Sequence, residues 1–296
     1  MDDKIIQLIN IKGYSIVSDK EKGYIHVEPI PTEEELKNIY EYEYYQKEKT
    51  SYIDNTLKDL DWWNTIYQDK YETFEANIAK SHKSILDIGC GSGYFLDFGQ
   101  RRGWSCMGIE PSLGAYNHAK RFGYELINSV FSKDLLENKK FDVIHMNQVL
   151  EHVPNPELLL LELKNFLNKE GIVCITVPNE FSTLQNLLHE KEDFPQWWLS
   201  PPHHLNYFSV ESLSKVIEKL GLEIILKESS FPLEMFLLMG ENYIKNPNLG
   251  RTIHQKRKDF DLKISKYKNK EKRKFYQLLA DLGRGRTITI YAKKVD

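Results

Sequence analysis

Apolar and polar positions divide the chain into regions of different texture. Over residues 1–30 the alternation is weak, and IIQLINIKGYSIV and YIHVEPIP read as short strands or an irregular cap. Pro31 and Thr32 precede three glutamates, which is a helix opening. Tyr40, Tyr42, Tyr44 and Tyr45 crowd the end of that segment. Residues 51–80 carry Trp62, Trp63, Ile66, Tyr67, Tyr71 and Phe74 at helical spacing, an apolar face suited to a lid or an outer helix. From residue 84 short apolar runs alternate with helical stretches. Strands are predicted at 84–88, 104–109, 124–127, 141–146 and 171–177, with helical pattern up to 102, at 112–121 and at 156–168. That order marks an α/β protein with a parallel, doubly wound sheet. A polar and aromatic stretch from 178 to about 208 is long enough to signal function or a hidden helix. A capped helix at 209–220 and strands at 222–227 and 286–292 follow. The predicted division is an N-terminal strand/helix cap (1–80), a core (81–231 and 284–296) and a basic helical insertion (232–283).

Composition narrows the class. Of 296 residues, 41% are apolar and 28% charged, so a large core is expected and wholesale disorder is not. Forty-three acids against 40 Lys and Arg, a net charge of -3, argue against a dedicated nucleic-acid coat. Cys90, Cys106 and Cys174 are too few and scattered for a disulfide framework, and without a CxxC pair a structural zinc site is disfavoured. No run approaches 18 uncharged apolar residues, and Met-Asp-Asp-Lys is not a basic signal region. The expectation is a cytoplasmic protein without a transmembrane span.

The most informative stretch is Asp87-Ile88-Gly89-Cys90-Gly91-Ser92-Gly93, where a strand ends in close glycines and runs into a helix. Such a turn brings backbone amides near a ligand. Glu110 follows 21 residues after Gly89, at the end of the second predicted core strand, where this topology receives a ribose diol. A dinucleotide fingerprint needs G-x-G-x-x-G; its last position falls on Tyr94 or Leu96, so it fails, and no phosphate loop follows. Asp87 would repel a pyrophosphate but could orient a cationic amino-acid moiety.

These residues resemble the first two motifs of the class I S-adenosylmethionine-dependent methyltransferases. Phe141-Asp142-Val143-Ile144-His145-Met146-Asn147-Gln148-Val149-Leu150-Glu151-His152-Val153 resembles the motif after the fourth strand in the subset containing the ubiquinone-biosynthesis O-methyltransferases. The resemblance covers roughly 80–228 and the terminal strand. It implies a Rossmann-like, mostly parallel seven-stranded sheet with helices on both faces and its last strand antiparallel. It implies S-adenosylmethionine as cofactor, with S-adenosylhomocysteine as product. Gly89, Cys90, Gly91 and Gly93 would approach the cofactor with Asp87 beneath, Glu110 would hold the ribose, and Asn147 and Gln148 would lie beside the methionine part. Asn128, Ser129 and Val130 stand where the family often meets the adenine. Gly23-Tyr24 through Pro29, with Pro31 and the tyrosine-rich helix, resembles a prefix of bacterial sugar and cell-surface-polysaccharide methyltransferases.

Methyl transfer to a hydroxyl needs a proton acceptor, and histidine suits that role near neutral pH. His152 follows the fourth core strand, where the binding crevice of such a sheet opens, with Glu151 to orient it or cap the next turn. His203 and His204 are further candidates for the base. Together with Trp197, Trp198, Tyr207 and Phe208 they suggest either a substrate wall or a loop packed back on the sheet. Tyr45 could close over the cofactor or serve cap packing, and His145, inside an apolar strand, reads as structural. No metal is expected, because these histidines lack ligand spacing such as H-E-x-x-H.

Between 242 and 280 stand 12 Lys or Arg and 3 Asp or Glu. The readings are a solvated helix face, an RNA surface, peripheral contact with anionic lipid, or attraction of a phosphorylated acceptor. Aromatics are sparse in that run, and the Asn/Asp-Pro-Pro-aromatic motif is absent after the fourth core strand, so nucleic acid is disfavoured. The function expected is methyl transfer to a small-molecule acceptor, a hydroxyl of a sugar or glycan precursor, nucleotide- or lipid-linked. The alternatives are a non-catalytic cofactor-binding interaction protein and methylation of RNA or protein.

Overall fold

The computed structural model describes residues 5–39 and 52–295. Two sheets organise it. The larger is seven-stranded, built from β4 (Ser84–Ile88), β5 (Ser105–Ile109), β6 (Glu125–Ile127), β7 (Phe141–Asn147), β8 (Leu167–Pro178), β10 (Leu222–Ser229) and β11 (Thr287–Lys294). Its order is β10-β11-β8-β7-β4-β5-β6. Strands β4 to β8 are parallel, whereas β11 lies antiparallel to both β8 and β10. This is the sheet that the sequence pattern and the family resemblance led us to expect.

Alternating strand residues feed two apolar layers, as a period of two requires. On one face Leu86, Ile144, Met146, Ile175 and Ile290 meet Leu160 and Leu163 of α6 (Pro156–Lys164) and Leu213, Val216 and Ile217 of α8 (Val210–Lys219). On the other, Ile85, Val143, Cys174 and Tyr291 meet Tyr71 and Phe74 of α3 (Leu60–Asn77) and Phe95 of α4 (Tyr94–Arg101). Helix α6 starts where Asn155 caps the Leu158 amide and Pro156 takes the first turn. It ends earlier than the pattern indicates, because β8 begins at Leu167, makes an excursion, and resumes its pairing with β7 at Ile172.

The smaller sheet runs β1 (Ile5–Ile11), β2 (Tyr14–Asp19), β3 (Tyr24–Glu28) and β9 (Asn206–Tyr207), all antiparallel. It is followed by α1 (Glu33–Asn38), opened by a Thr32–Glu35 capping box, and by α2 (Tyr52–Lys58) ahead of α3. The long stretch after Pro178 conceals α7 (Thr183–Lys191), capped by Ser182 and Gln185, and then donates β9 to the N-terminal sheet.

Between β10 and β11 lie α9 (Glu234–Leu238) and α10 (Pro247–Asp281), the latter broken at Lys268 (φ -155°, ψ 86°). Phe260 and Phe275 would be about 22 Å apart on a straight helix, yet their rings are 6.2 Å apart, so the two halves fold back on each other. This hairpin grips α3. Trp62 Nε1 donates to Asp261 (2.8 Å), Lys272 pairs with Asp69 (2.7 Å), Lys258 pairs with Asp59, and Arg257 lies over the Trp62 ring. Arg273 reaches Glu228 on β10. The basic block is thus not one solvated or ligand-binding face: Arg257, Lys258, Lys272 and Arg273 turn inward to hold the helices together. Among the described residues no helix is long and apolar enough to cross a membrane.

Candidate functional site

The carboxyl end of β4 turns through Gly89, Gly91 and Gly93, with φ of 69°, 54° and 82°, values that suit glycine. A Cβ on Gly93 would meet the Tyr124 hydroxyl and Ala119, and one on Gly89 would lie 2.7 Å from Val149 Cγ2. The turn's amides are largely engaged inside the protein. Gly89 and Cys90 donate to Ile109 O (2.8 and 3.2 Å), Gly93 to Cys90 O, and Gly91 to Glu110 Oε2 (2.8 Å). At these positions glycine therefore serves curvature and close approach. The Cys90 thiol is buried and its pKa pushed well up by that burial, so this residue contributes its backbone rather than its sulfur to the turn.

Glu110 follows β5 and also accepts from the Ser112 amide (2.8 Å). Burial pushes its carboxyl up to about 7, against the lowering effect of the two amide bonds. Asn128 does not offer its amide nitrogen outward; it donates to the carbonyls of Glu110 and Pro111. At the end of β7, Asn147 is followed by Gln148, whose φ of 58° marks a strained turn. Gln148 Nε2 is buried without a hydrogen bond among the described residues.

Three residues beyond Val149, the side chain that touches Gly89, the turn Leu150–His152 presents His152. The segment around β9 is laced to this turn: Leu205 N donates to Glu151 O, and Asn206 Nδ2 to Leu150 O and Val153 O. That lacing brings His204 beside His152, with ring centroids 5.1 Å apart. His152 Nδ1 donates to His203 O (2.6 Å), and its Nε2 stands 3.8 Å from Glu151 Oε1. His204 Nδ1 donates to Glu180 Oε1 at 2.9 Å. Burial opposes protonation of His204, but the Glu180 hydrogen bond and charge, with the charge of Glu151, outweigh it and raise its pKa. Both rings therefore have Nδ1 occupied as donor, which leaves Nε2 as the basic nitrogen. Ligand atoms of Glu151, His152 and His204 lie within 4.8 Å of one another, an arrangement that could accommodate a divalent cation despite the absence of a spacing motif.

The aromatic cluster divides. Trp198, Tyr207 and Phe208 are buried, with Tyr207 in the N-terminal sheet's core beside Ile16 and Val27, and Phe208 against Tyr24. Their burial favours the second of the two readings, a loop packed back on the sheets: Tyr207 on β9 enters the N-terminal sheet's core, Phe208 the larger core, and Trp198 packs on Phe181. Trp197 is half-buried beside Trp198. Tyr44 and Tyr45 lie outside the described residues.

Two functional candidates escaped the sequence reading. Glu180 follows Pro178 by two positions and carries no pattern that names it. Lys70 interrupts the aromatic stripe between Tyr67 and Phe74, and a cation on such a stripe is a readable signal. Asp87, His145, Thr176 and Thr289 form a polar row across β4, β7, β8 and β11 beneath α3, and Lys70 descends onto it.

Residues 62–227, more than half of the chain, match the family described as a methyltransferase domain. A ubiquinone biosynthesis O-methyltransferase of Glaesserella parasuis serovar 5 (strain SH0165) is 32% identical over 108 residues, 33% of this chain and 46% of the relative. That of Pelagibacter ubique (strain HTCC1062) is 36% identical over 101 residues, 32% and 42% of the two chains. The chain therefore spans less than half the length of these curated relatives. The solved structure of the plantazolicin methyltransferase BamL, in complex with a triazolic desmethylPZN analog and SAH, superposes with a TM-score of 0.54. It is 16% identical, with coverage of 88% of this chain and 94% of that one.

Proposed function

The chain belongs to the methyltransferase-domain family, and from that premise we propose that it transfers the methyl group of S-adenosylmethionine to a hydroxyl of a small-molecule acceptor, a sugar or glycan precursor. The observation that carries the reading is the His204–Glu180 pair beside His152, at the carboxyl end of the sheet and joined through Val149 to the glycine turn. The cofactor supplies an electrophilic methyl group on a sulfonium. The residues that would hold it fit that chemistry. Glu110, fixed by two amides, is a ready acceptor for a ribose diol, and the orphaned Gln148 Nε2 is a donor awaiting a carboxylate. Asp87 lies buried below the turn, where its carboxyl adds negative charge once ionised.

On the acceptor side the chain's work is to align a hydroxyl and take its proton. His204 Nε2 is the proton acceptor in this reading: Glu180 fixes the Nδ1–H tautomer and stabilises the imidazolium that forms. His152 Nε2 and Glu151 orient the acceptor. A cluster rich in carboxylate and imidazole suits a polyhydroxylated ring better than a flat apolar one, and the cap's likeness to sugar methyltransferases points the same way. Contact of the acceptor's carrier with a membrane surface and a cytoplasmic setting belong to the same proposal.

Isothermal titration with S-adenosylmethionine, S-adenosylhomocysteine and NAD tests the cofactor. Micromolar binding of both sulfur nucleotides and none of NAD is expected, weakening as pH falls through about 7, where Glu110 becomes protonated and stops accepting from both ribose hydroxyls. A folded sample that binds neither sulfur nucleotide overturns the reading. Transfer of labelled methyl to nucleotide-linked sugars but not to catechols supports the acceptor class; the reverse preference replaces it with phenols.

A further inference from the structure

The buried row under α3 contains two opposite charges that the proposed chemistry does not use. Asp87 Oδ1 is 2.7 Å from His145 Nδ1, and Lys70 Nζ is 2.8 Å from His145 Nε2 and 2.9 Å from Thr176 Oγ1. Thr176 in turn meets Thr289 at 2.9 Å. Asp87 and His145 are each 3% exposed, and Lys70 is 6% exposed. The Phe95 ring, in the first turn of α4 directly after the glycine loop, packs at a tilt on His145 with centroids 4.0 Å apart and covers the group from solvent. A lysine in such a place is costly unless paired. The ordinary lid or packing role of α3 does not call for one.

We infer that Lys70 is a positioning residue for the cofactor: acting through His145, it allows Asp87 to stand as a carboxylate beneath the glycine turn when a cationic amino-acid moiety binds above it. The inference rests on the cofactor reading given above. Two proton arrangements satisfy the same hydrogen bonds. In one, Asp87 is ionised, His145 donates from Nδ1 and Lys70 is an ammonium. In the other, the Asp87 carboxyl donates to Nδ1, and His145 Nε2–H donates to a neutral Lys70 amine. They differ by moving one proton from Asp87 to His145 Nδ1 and another from Nε2 to Lys70, so Asp87 gains its charge without exchanging a proton with water. Burial pushes the Asp87 carboxyl well up and depresses both Lys70 and His145, while the Lys70 charge pulls Asp87 back down. Without Lys70, ionising Asp87 requires releasing a proton to solvent.

The other titratable groups bearing on Asp87 are the Cys90, Cys106 and Cys174 thiols, the Tyr71 and Tyr124 phenols and the Glu110 carboxyl. Those bearing on Lys70 are Cys174 and Glu228. Burial raises the thiols and phenols, leaving them neutral between pH 6 and about 8. Glu110, brought up to about 7 chiefly by burial with a smaller contribution from the Asp87 charge, is present in parent and variant alike, so to first order it cancels in a ratio of affinities. Glu228 is held by Arg273.

The test is titration calorimetry of S-adenosylmethionine into the full chain and its Lys70→Gln variant, which keeps hydrogen-bond donors and loses the charge. The variant-to-parent ratio of Kd is expected to be about tenfold or more at pH 6, the scale of a hydrogen bond to a charged group. It should fall toward one as pH rises, because Asp87 then ionises unaided; Lys70→Arg should keep the ratio near one throughout. A ratio that is flat with pH, or near one at pH 6, overturns the inference. If Lys70→Gln does not fold, the Asp87→Asn/Lys70→Met double variant removes both charges from the row. It should bind about tenfold more weakly with no pH slope relative to the parent, and parental affinity would again overturn the inference. Should the parent itself bind no S-adenosylmethionine, the cofactor reading fails; a binding parent with an indifferent Lys70 variant removes this inference alone.

Discussion

The molecule contains two histidine–carboxylate pairs of nearly the same geometry and opposite circumstance. In His145–Asp87 the Nδ1–carboxylate distance is 2.7 Å; in His204–Glu180 it is 2.9 Å. His145 is enclosed in the sheet's second apolar layer with its Nε2 occupied by Lys70, and burial plus that cation drive its pKa well down. The His204 side chain keeps 21% of its surface exposed, and its carboxylates raise its pKa despite burial. Position in the sheet decides the difference. His145 lies within β7 and beneath α3, whereas His204 sits on a segment hung between the two sheets beyond the strand ends. One pair can only redistribute protons internally; the other can take one from outside.

The largest blow to this contrast is expected from His204→Ala, with kcat reduced by about 10²–10⁴-fold and affinity for the cofactor retained. A loss below tenfold would return the base role to His152 or His203. His145→Ala should act on the other side of the comparison, leaving Asp87 and Lys70 buried apart and lowering unfolding free energy by about 3–5 kcal/mol; a urea melt indistinguishable from the parent would show the pair unimportant to the fold. Glu180→Gln is expected to cut kcat by about tenfold and to move the acid limb of the pH profile downward. The sign follows from the carboxylate's raising of the His204 pKa: once the charge is gone, the neutral base persists to lower pH. A limb that stays in place would disconnect Glu180 from the titrating group. The smallest change should come from Thr289→Val, which removes one hydroxyl contact at the end of the polar row. About 1 kcal/mol of stability is expected to go, with the pH profile untouched.

The cofactor side was legible because its determinants are local. Asp87, the three glycines and Glu110 fall within 24 residues, and each strand–turn–helix passage has its own pattern. The acceptor side draws Glu151 and His152 from one turn, Glu180 from the end of β8, and His203 and His204 from a segment whose position depends on β9. A two-residue strand has no period to read, so the contact of His204 with His152 could not be anticipated, and the burial of Tyr207 and Phe208 stood as only one of two readings. For helix α7 the length of the stretch signalled a hidden helix without placing it, although the S-x-x-Q capping box of Ser182 and Gln185 marks its start. The basic block misled for a related reason. Its lysines repeat without an apolar interruption strong enough to mark a break at Lys268, so the inward-turning cations could not be separated from the outward ones.

Strand β11 lies between β8 and β10, although more than 50 residues separate it in sequence from the end of β10. As the chain leaves the ribosome, every other strand of the larger sheet is complete while this slot is still open. The facing edges of β8 and β10 must then wait unpaired, and they are apolar and β-prone, the kind of surface that invites wrong partners. Helix α10 emerges during that interval and docks on β10 and α3, so it can shield the nascent sheet before Thr287–Lys294 closes it. A fragment cut at the family boundary of residue 227 would keep that slot open permanently, and aggregation rather than a smaller working enzyme is the expected product.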